Sequence, residues 1–113
     1  DHAYSVTEAA DNAPRKDVWV LGYIVGVATN TNKFSFEAPF SKNTNLLLGL
    51  RSSSTAPEYL LCVELKAGDV REELNLMDNP GIKGRQIYMK GDLVSSYYGI
   101  PGLKNVSEFQ FKP

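Results

Sequence analysis

A chain of 113 residues is the size of one domain, so residues 1–113 are expected to form a single unit whose core needs no metal or disulfide staple. Hydrophobic residues at 42% and charged residues at 22% exclude a disordered or collagen-like chain, and no apolar run approaches the ~20 residues of a membrane-spanning helix. Twelve Lys+Arg against thirteen Asp+Glu leave a net charge of −1, which argues against attachment to duplex DNA or a membrane surface by bulk electrostatics.

The first element in chain order is a short helix. Ser5-Val6-Thr7-Glu8 is a capping-box pattern, with Ser5 as N-cap, Glu8 reaching back to its amide and Tyr4 placed to staple onto Ala9. The helix stops by Asn12-Ala13-Pro14, because a residue before proline avoids the helical region. Residues 17–28 are the clearest strand. Val18, Val20, Gly22, Ile24, Gly26 and Ala28 share one face; Trp19, Leu21, Tyr23, Val25 and Val27 share the other. A long strand apolar on both faces, with two glycines relieving crowding, is expected to bend and to serve two sheets of a small barrel. The connection 29–45 is polar and Asn-rich but carries Phe34, Phe36 and Phe40. These rings either pack back on the barrel or are displayed. Its one acid, Glu37, makes solvated polarity a better reading than a calcium loop.

Residues 46–50 and 59–65 read as the next two strands, joined by a Ser- and Pro-containing turn at 52–57. Cys62, inside the second, is expected to be a small buried hydrophobe. As the single cysteine it excludes an internal disulfide. The single histidine, His2, cannot build a His/Cys metal centre or a well-held triad. Asp69 followed by Glu72 predicts an N-capped helix, with Val70, Leu74 and Met77 as its apolar stripe and a stop at Asp78-Asn79-Pro80-Gly81. Residues 86–95 alternate as a strand, with Ile87, Met89, Gly91 and Leu93 on one face. Residues 96–105 read as an aromatic-bearing loop and 106–111 as the last strand. Val18, Val20, Ile24, Leu48, Leu61, Val63, Val70, Leu74, Ile87, Met89, Leu93 and Phe109 are the expected core.

Five strands with a helix between the third and fourth, preceded by a short N-terminal helix, is the order of a mainly β OB-fold, a five-stranded Greek-key barrel. An SH3-like barrel leaves the helix after Asp69 unexplained, and a split βαβ fold needs a second long helix.

The spacing Val18-x-Val20-x-Gly22-x-Ile24-Val25-Gly26 resembles the first strand of small secreted OB-fold domains in surface proteins of gut bacteria. So do Leu65 and Gly68 followed by Val70-Arg71-x-x-Leu74-Asn75-Leu76, then Asp78-Asn79-Pro80-Gly81, Gly84, Lys90-Gly91-Asp92-Leu93 and Ile100-Pro101-Gly102-Leu103-Lys104. The resemblance covers most of the chain from Tyr4 onward. It implies export, to a secreted, periplasmic or cell-surface (lipoprotein) location, and it supports the barrel; it carries over no active site. The chain itself opens Asp1-His2-Ala3 without a signal peptide, as a mature or trimmed chain would. The domain is also similar to OB-fold modules appended to extracellular nucleases.

OB-folds bind ligands on strands two and three and in the loops after strands one and four, here 29–45 and 96–105. Phe34, Phe36, Phe40, Tyr97 and Tyr98 are candidates to stack on bases or sugar faces. Lys33, Lys42, Arg51 and Lys104 could meet phosphates, and Asn105 could supply hydrogen bonds. Charge follows the same division: 33–51 holds three bases and one acid and 82–113 five bases and two acids, whereas 58–78 holds six acids and two bases. The competing reading is that the Phe rings plug the barrel ends and the Ile100-Pro101-Gly102 segment is a structural turn. Glu72 and Glu73 point apart on a short helix and do not form a catalytic carboxylate pair. The expectation is a non-catalytic binding or accessory module with no metal and no cofactor. Its candidate ligands are an oligosaccharide or single-stranded nucleic acid, and another domain or protein is a candidate partner. The alternatives are a weak single-stranded nucleic-acid-binding module accompanying an extracellular nuclease, and a structural or assembly domain of a surface protein.

Overall fold

Ser5 begins the regular structure as the spacing requires. In the computed structural model, which describes residues 2–113, the Ser5 hydroxyl accepts from the amide of Glu8 at 3.2 Å and the Glu8 carboxylate accepts from the amide of Ser5 at 2.9 Å. These bonds satisfy two donors that helix geometry leaves free. The helix so started, α1 (Val6–Asn12), ends before Pro14. It is followed by β1 (Arg15–Asn30), β2 (Lys33–Ser35), β3 (Asn45–Gly49), β4 (Leu60–Glu64), α2 (Asp69–Leu74), β5 (Gln86–Tyr97) and β6 (Ile100–Phe111).

The strands run β2-β1-β3-β4-β6-β5, and β1 also pairs with β5, which closes the sheet into a ring. β4 and β6 are parallel and the remaining neighbours antiparallel. This is the OB-fold barrel with one short strand, β2, added inside the first long connection. β1 serves both halves, as its apolar faces and glycines predict: residues 15–23 pair with β5 and residues 23–26 with β3.

Bulges set which face each residue takes. The β1–β3 register shifts between Ile24 and Gly26, and the shift exchanges inside for outside. Val20 and Ile24 enter the main core, then Val27 does, while Val25 and Ala28 face outward. A single period of two along β1 therefore places Val27 and Ala28 on the wrong sides. Gly26 sits at the bulge because a Cβ there would lie 2.1 Å from the carbonyl oxygen of Ser35.

The main core holds Val20, Ile24, Leu48, Leu61, Val63, Leu74, Ile87, Met89 and Leu93 as expected, with Val18, Val70 and Phe109 packed at its margin. Val6 and Ala9 of α1 close one part of it, and Tyr4 packs at its margin.

Four expectations need correction. The described residues form six strands rather than five. Asp69 is not the N-cap of α2: the cap is Gly68, at φ +118, and no side chain caps the helix. The sharp entry needs a left-handed residue, so it falls on glycine and leaves Asp69 inside the first turn. The helix then stops at Leu74, where Asn75, only 1% exposed, donates from Nδ2 to the Arg71 carbonyl and accepts at Oδ1 from the Asp78 amide. Leu76 is buried in place of Met77, which is 47% exposed. The loop predicted at 96–105 is a two-residue turn, Tyr98-Gly99, with both residues at positive φ as a tight hairpin with the natural strand twist requires. Non-local pairing overrode the local turn formers here: Gly102 and Leu103 pair with Cys62 and Val63 of β4.

Candidate functional site

Strands β3 and β4 are apolar on both faces, so the barrel carries a second cluster on its outside. Val25, Ala28, Leu47, Leu60, Cys62 and Ile100 form it, and the rings of Tyr23, Phe34, Phe36, Tyr97 and Tyr98 pack over it while remaining partly exposed. Two hairpins bring these rings together. The β1–β2 turn delivers Phe34 and Phe36, whose ring centroids are 6.5 Å apart. The β5–β6 turn delivers Tyr97 and Tyr98, edge to face at 4.9 Å. The hairpins are tied where the amide of Asn32 donates to the carbonyl of Tyr98 at 2.9 Å. Gly102 makes room for the Tyr97 side chain, since a Cβ there would be 2.6 Å from the Cβ of Tyr97.

Polar groups edge the shelf. The Lys104 ammonium lies 4.7 Å from the centre of the Tyr97 ring, a cation–π contact that holds a positive charge beside two tyrosines. Glu64, one residue beyond Val63 on β4, has a carboxylate oxygen, Oε1, shielded from solvent and without a hydrogen-bond partner among the described residues. Burial, reinforced by Cys62, Tyr98 and Glu64 nearby, pushes the Tyr97 hydroxyl up to about 12. It therefore stays a neutral donor at ordinary pH. Burial also pushes the Cys62 thiol up to about 12, which makes it a packing residue, as the sequence predicts.

Of the residues singled out from sequence, Phe34, Phe36, Tyr97, Tyr98 and Lys104 converge on this shelf. Lys33 is exposed at the start of β2. Three others do not join them. Phe40 is 6% exposed and belongs to the main core, because the connection folds back and uses this ring as a plug. Arg51 is exposed in the β3–β4 loop, along a cleft of about 340 Å³ lined also by Leu50, Ser54 and Tyr59 rather than by the shelf rings. Asn105 is a structural latch at φ +53. Its Nδ2 donates to Asp92 Oδ2 at 2.9 Å and its Oδ1 accepts from the Lys66 ammonium at 2.6 Å. Asp92 Oδ1 in turn accepts from the amide of Asp17 at 3.0 Å. Hydrogen bonds from Asn105 and then Asp17 hold the Asp92 carboxyl below the usual carboxylate range.

Asn45 is also corrected, from loop polarity to buried structure. It is fully buried and pairs through both amide atoms with the backbone of Ala28, at 2.8 and 3.0 Å, continuing the β1–β3 ladder beyond its last backbone pair. The sequence signal for Glu64 and Asn45 was their alternation with Cys62 and Leu47, which puts both on the outer face.

Residues 4–112 match the family described as a domain of unknown function, DUF6359. The chain belongs to that family. Among curated proteins it is similar to the endonuclease YhcR of Bacillus subtilis (strain 168), 36% identical over 87 residues. That match takes in 77% of this chain but 7% of the endonuclease, so the domain corresponds to a small segment of that protein. Among solved structures the hypothetical protein ygiW from E. coli has the same fold, with a TM-score of 0.55 and 10% identity over 99% of this chain and 91% of that one. Among the described residues, no helix is long and apolar enough to cross a membrane.

Proposed function

We propose that this domain is a non-catalytic binding module of a larger exported protein, and that its shelf takes a short stretch of single-stranded nucleic acid. The observation that carries this reading is the convergence of Phe34, Phe36, Tyr97 and Tyr98, all partly exposed, with the Lys104 ammonium beside Tyr97 on one side of the barrel. Flat rings accept any base by stacking, at roughly 1–3 kcal/mol each, and a cation at the edge meets the backbone. The similarity to a segment of an endonuclease supports a role beside nucleic-acid chemistry, and the resemblance to secreted domains supports export. With a net charge of −1, long-range attraction is slight, so affinity is weak and falls further with added salt.

The test is titration of labelled oligothymidylate into the domain and its Tyr98→Ala variant at about 50 and about 200 mM salt. Weak binding that the variant and the salt both reduce supports the reading. No binding at low salt overturns it and favours the second reading, a structural or assembly role, which the packing of the same rings over Leu47, Leu60 and Cys62 already supports.

A further inference from the structure

A different face of the barrel carries the single tryptophan of the chain. Trp19 follows Val18 and precedes Val20, both of which face the main core, so alternation turns it outward; it belongs to neither buried cluster. The register sets its neighbours. Trp19 pairs with Lys90 and Leu21 with Tyr88 across β1–β5, and Tyr88 pairs with Gln110 and Lys90 with Glu108 across β5–β6. On the other side of β1 the N-terminal segment is held at a single parallel bridge opposite Val20, with the Tyr4 amide donating to the Trp19 carbonyl at 2.9 Å and the Leu21 amide to the Tyr4 carbonyl at 2.8 Å.

This arrangement leaves an open groove of two clefts that meet at Trp19, which is half-buried. A cleft of about 260 Å³ is lined by Ala3, Trp19, Tyr88 and Gln110. A second, of about 390 Å³, shares Trp19 and adds Asp17 and Lys90 among its walls. Three strands at ~4.8 Å spacing give the platform a width of roughly 10 Å, enough for one or two sugar rings.

We propose that this groove binds a neutral oligosaccharide, with a sugar ring lying on Trp19. Three features point to that chemistry. Trp19 and Tyr88 offer rigid apolar faces to the C–H face of a pyranose. Gln110, Asp17 and Lys90 supply donors and acceptors around the rim, the pattern hydroxyl groups require. The charge balance disfavours a polyanion: Lys90 lies 3.7 Å from the Glu108 carboxylate, and Asp17 adds a further acid. The site is separate from the Tyr97–Tyr98 shelf and stands whether or not that shelf binds nucleic acid.

Because Trp19 is the single tryptophan, its emission reports occupancy directly. The experiment titrates chitohexaose, cellohexaose and laminarihexaose into the intact domain and follows tryptophan fluorescence, with calorimetry as a second readout. The expected result is a saturable emission change with at least one of them, independent of salt. Calorimetric affinity should fall roughly tenfold in Trp19→Ala and in Gln110→Ala and stay unchanged in Tyr98→Ala. Trp19→Ala is checked for an unchanged melting profile, and Gln110→Ala, at an exposed site, provides an independent variant. Absence of binding to all three sugars overturns the proposal. So does a salt-dependent emission change with oligothymidylate alone, which would assign the groove to nucleic acid.

Discussion

The inner core and the outer cluster share strands β1, β3 and β4, and neighbouring residues such as Leu47 and Leu48 are divided between them. What closes them differs. The inner core is sealed by the ring of strands and by residues of α1 and α2, including Val6, Ala9 and Leu74. The outer cluster is closed by side chains from two hairpins and by Tyr23 of β1, all only partly buried. Burial within a closed barrel is enforced by backbone pairing around it, whereas a lid of rings is held by its own packing and a few hydrogen bonds such as Asn32 to Tyr98. A small barrel can thus carry one apolar surface sealed by backbone pairing and a second covered by side chains alone.

Truncation in the inner core should have the largest effect. Leu48→Ala is expected to cost about 2–5 kcal/mol, and Tyr98→Ala, at the margin of the outer cluster, about 1 kcal/mol through lost packing. Chemical denaturation of both variants checks the ranking, and equal losses would remove the distinction between the two clusters. Gly26→Ala should come next. The added methyl meets the Ser35 carbonyl, so it should displace β2 and cost about 1–3 kcal/mol by overpacking. It also sharpens the comparison chemically. Native Cys62 should resist iodoacetamide, because it is buried and its thiol is pushed up to about 12, and Gly26→Ala should speed the reaction if the lid has loosened. An unchanged alkylation rate would mean that β2 does not guard Cys62.

The Asp92 latch lies outside both clusters and should give a smaller, pH-dependent effect. A carboxyl held low in the folded state stabilises the fold fully above the ordinary carboxylate range. That contribution declines as pH falls below about 4 and through its lowered value. Asn105→Ala removes the first cause, so Asp92 should titrate at higher pH in an NMR titration while ligand binding on the shelf is unchanged. The smallest effect is expected for Asp69→Ala. With Gly68 as the cap, only the interaction with the first turn is lost, about 0.5 kcal/mol or less. A loss above 1 kcal/mol, the size of a lost N-cap, would restore the capping role.

Local patterning by itself determined the short capped helix at Ser5, the long two-faced first strand, the apolar alternation of Ile87, Met89 and Leu93, the burial of Cys62 and, through element order, the OB-fold barrel. The local elements rest on neighbours within a few residues, where spacing and chemistry act directly, and the barrel on the order in which those elements follow. The tertiary structure decided what depends on partners distant in the chain. Pairing with Cys62 and Val63 drew Gly102 and Leu103 into a strand that their turn-forming neighbours disguised. A bulge opposite Leu47 exchanged the faces of Val27 and Ala28. Of three phenylalanines in one connection, Phe40 became a core plug while Phe34 and Phe36 became a lid. Asn105, read as a ligand group, became a latch because Asp92 and Lys66 stand beside it. Trp19 and Tyr88 sit far apart in sequence and share a groove only because β1 and β5 close the barrel.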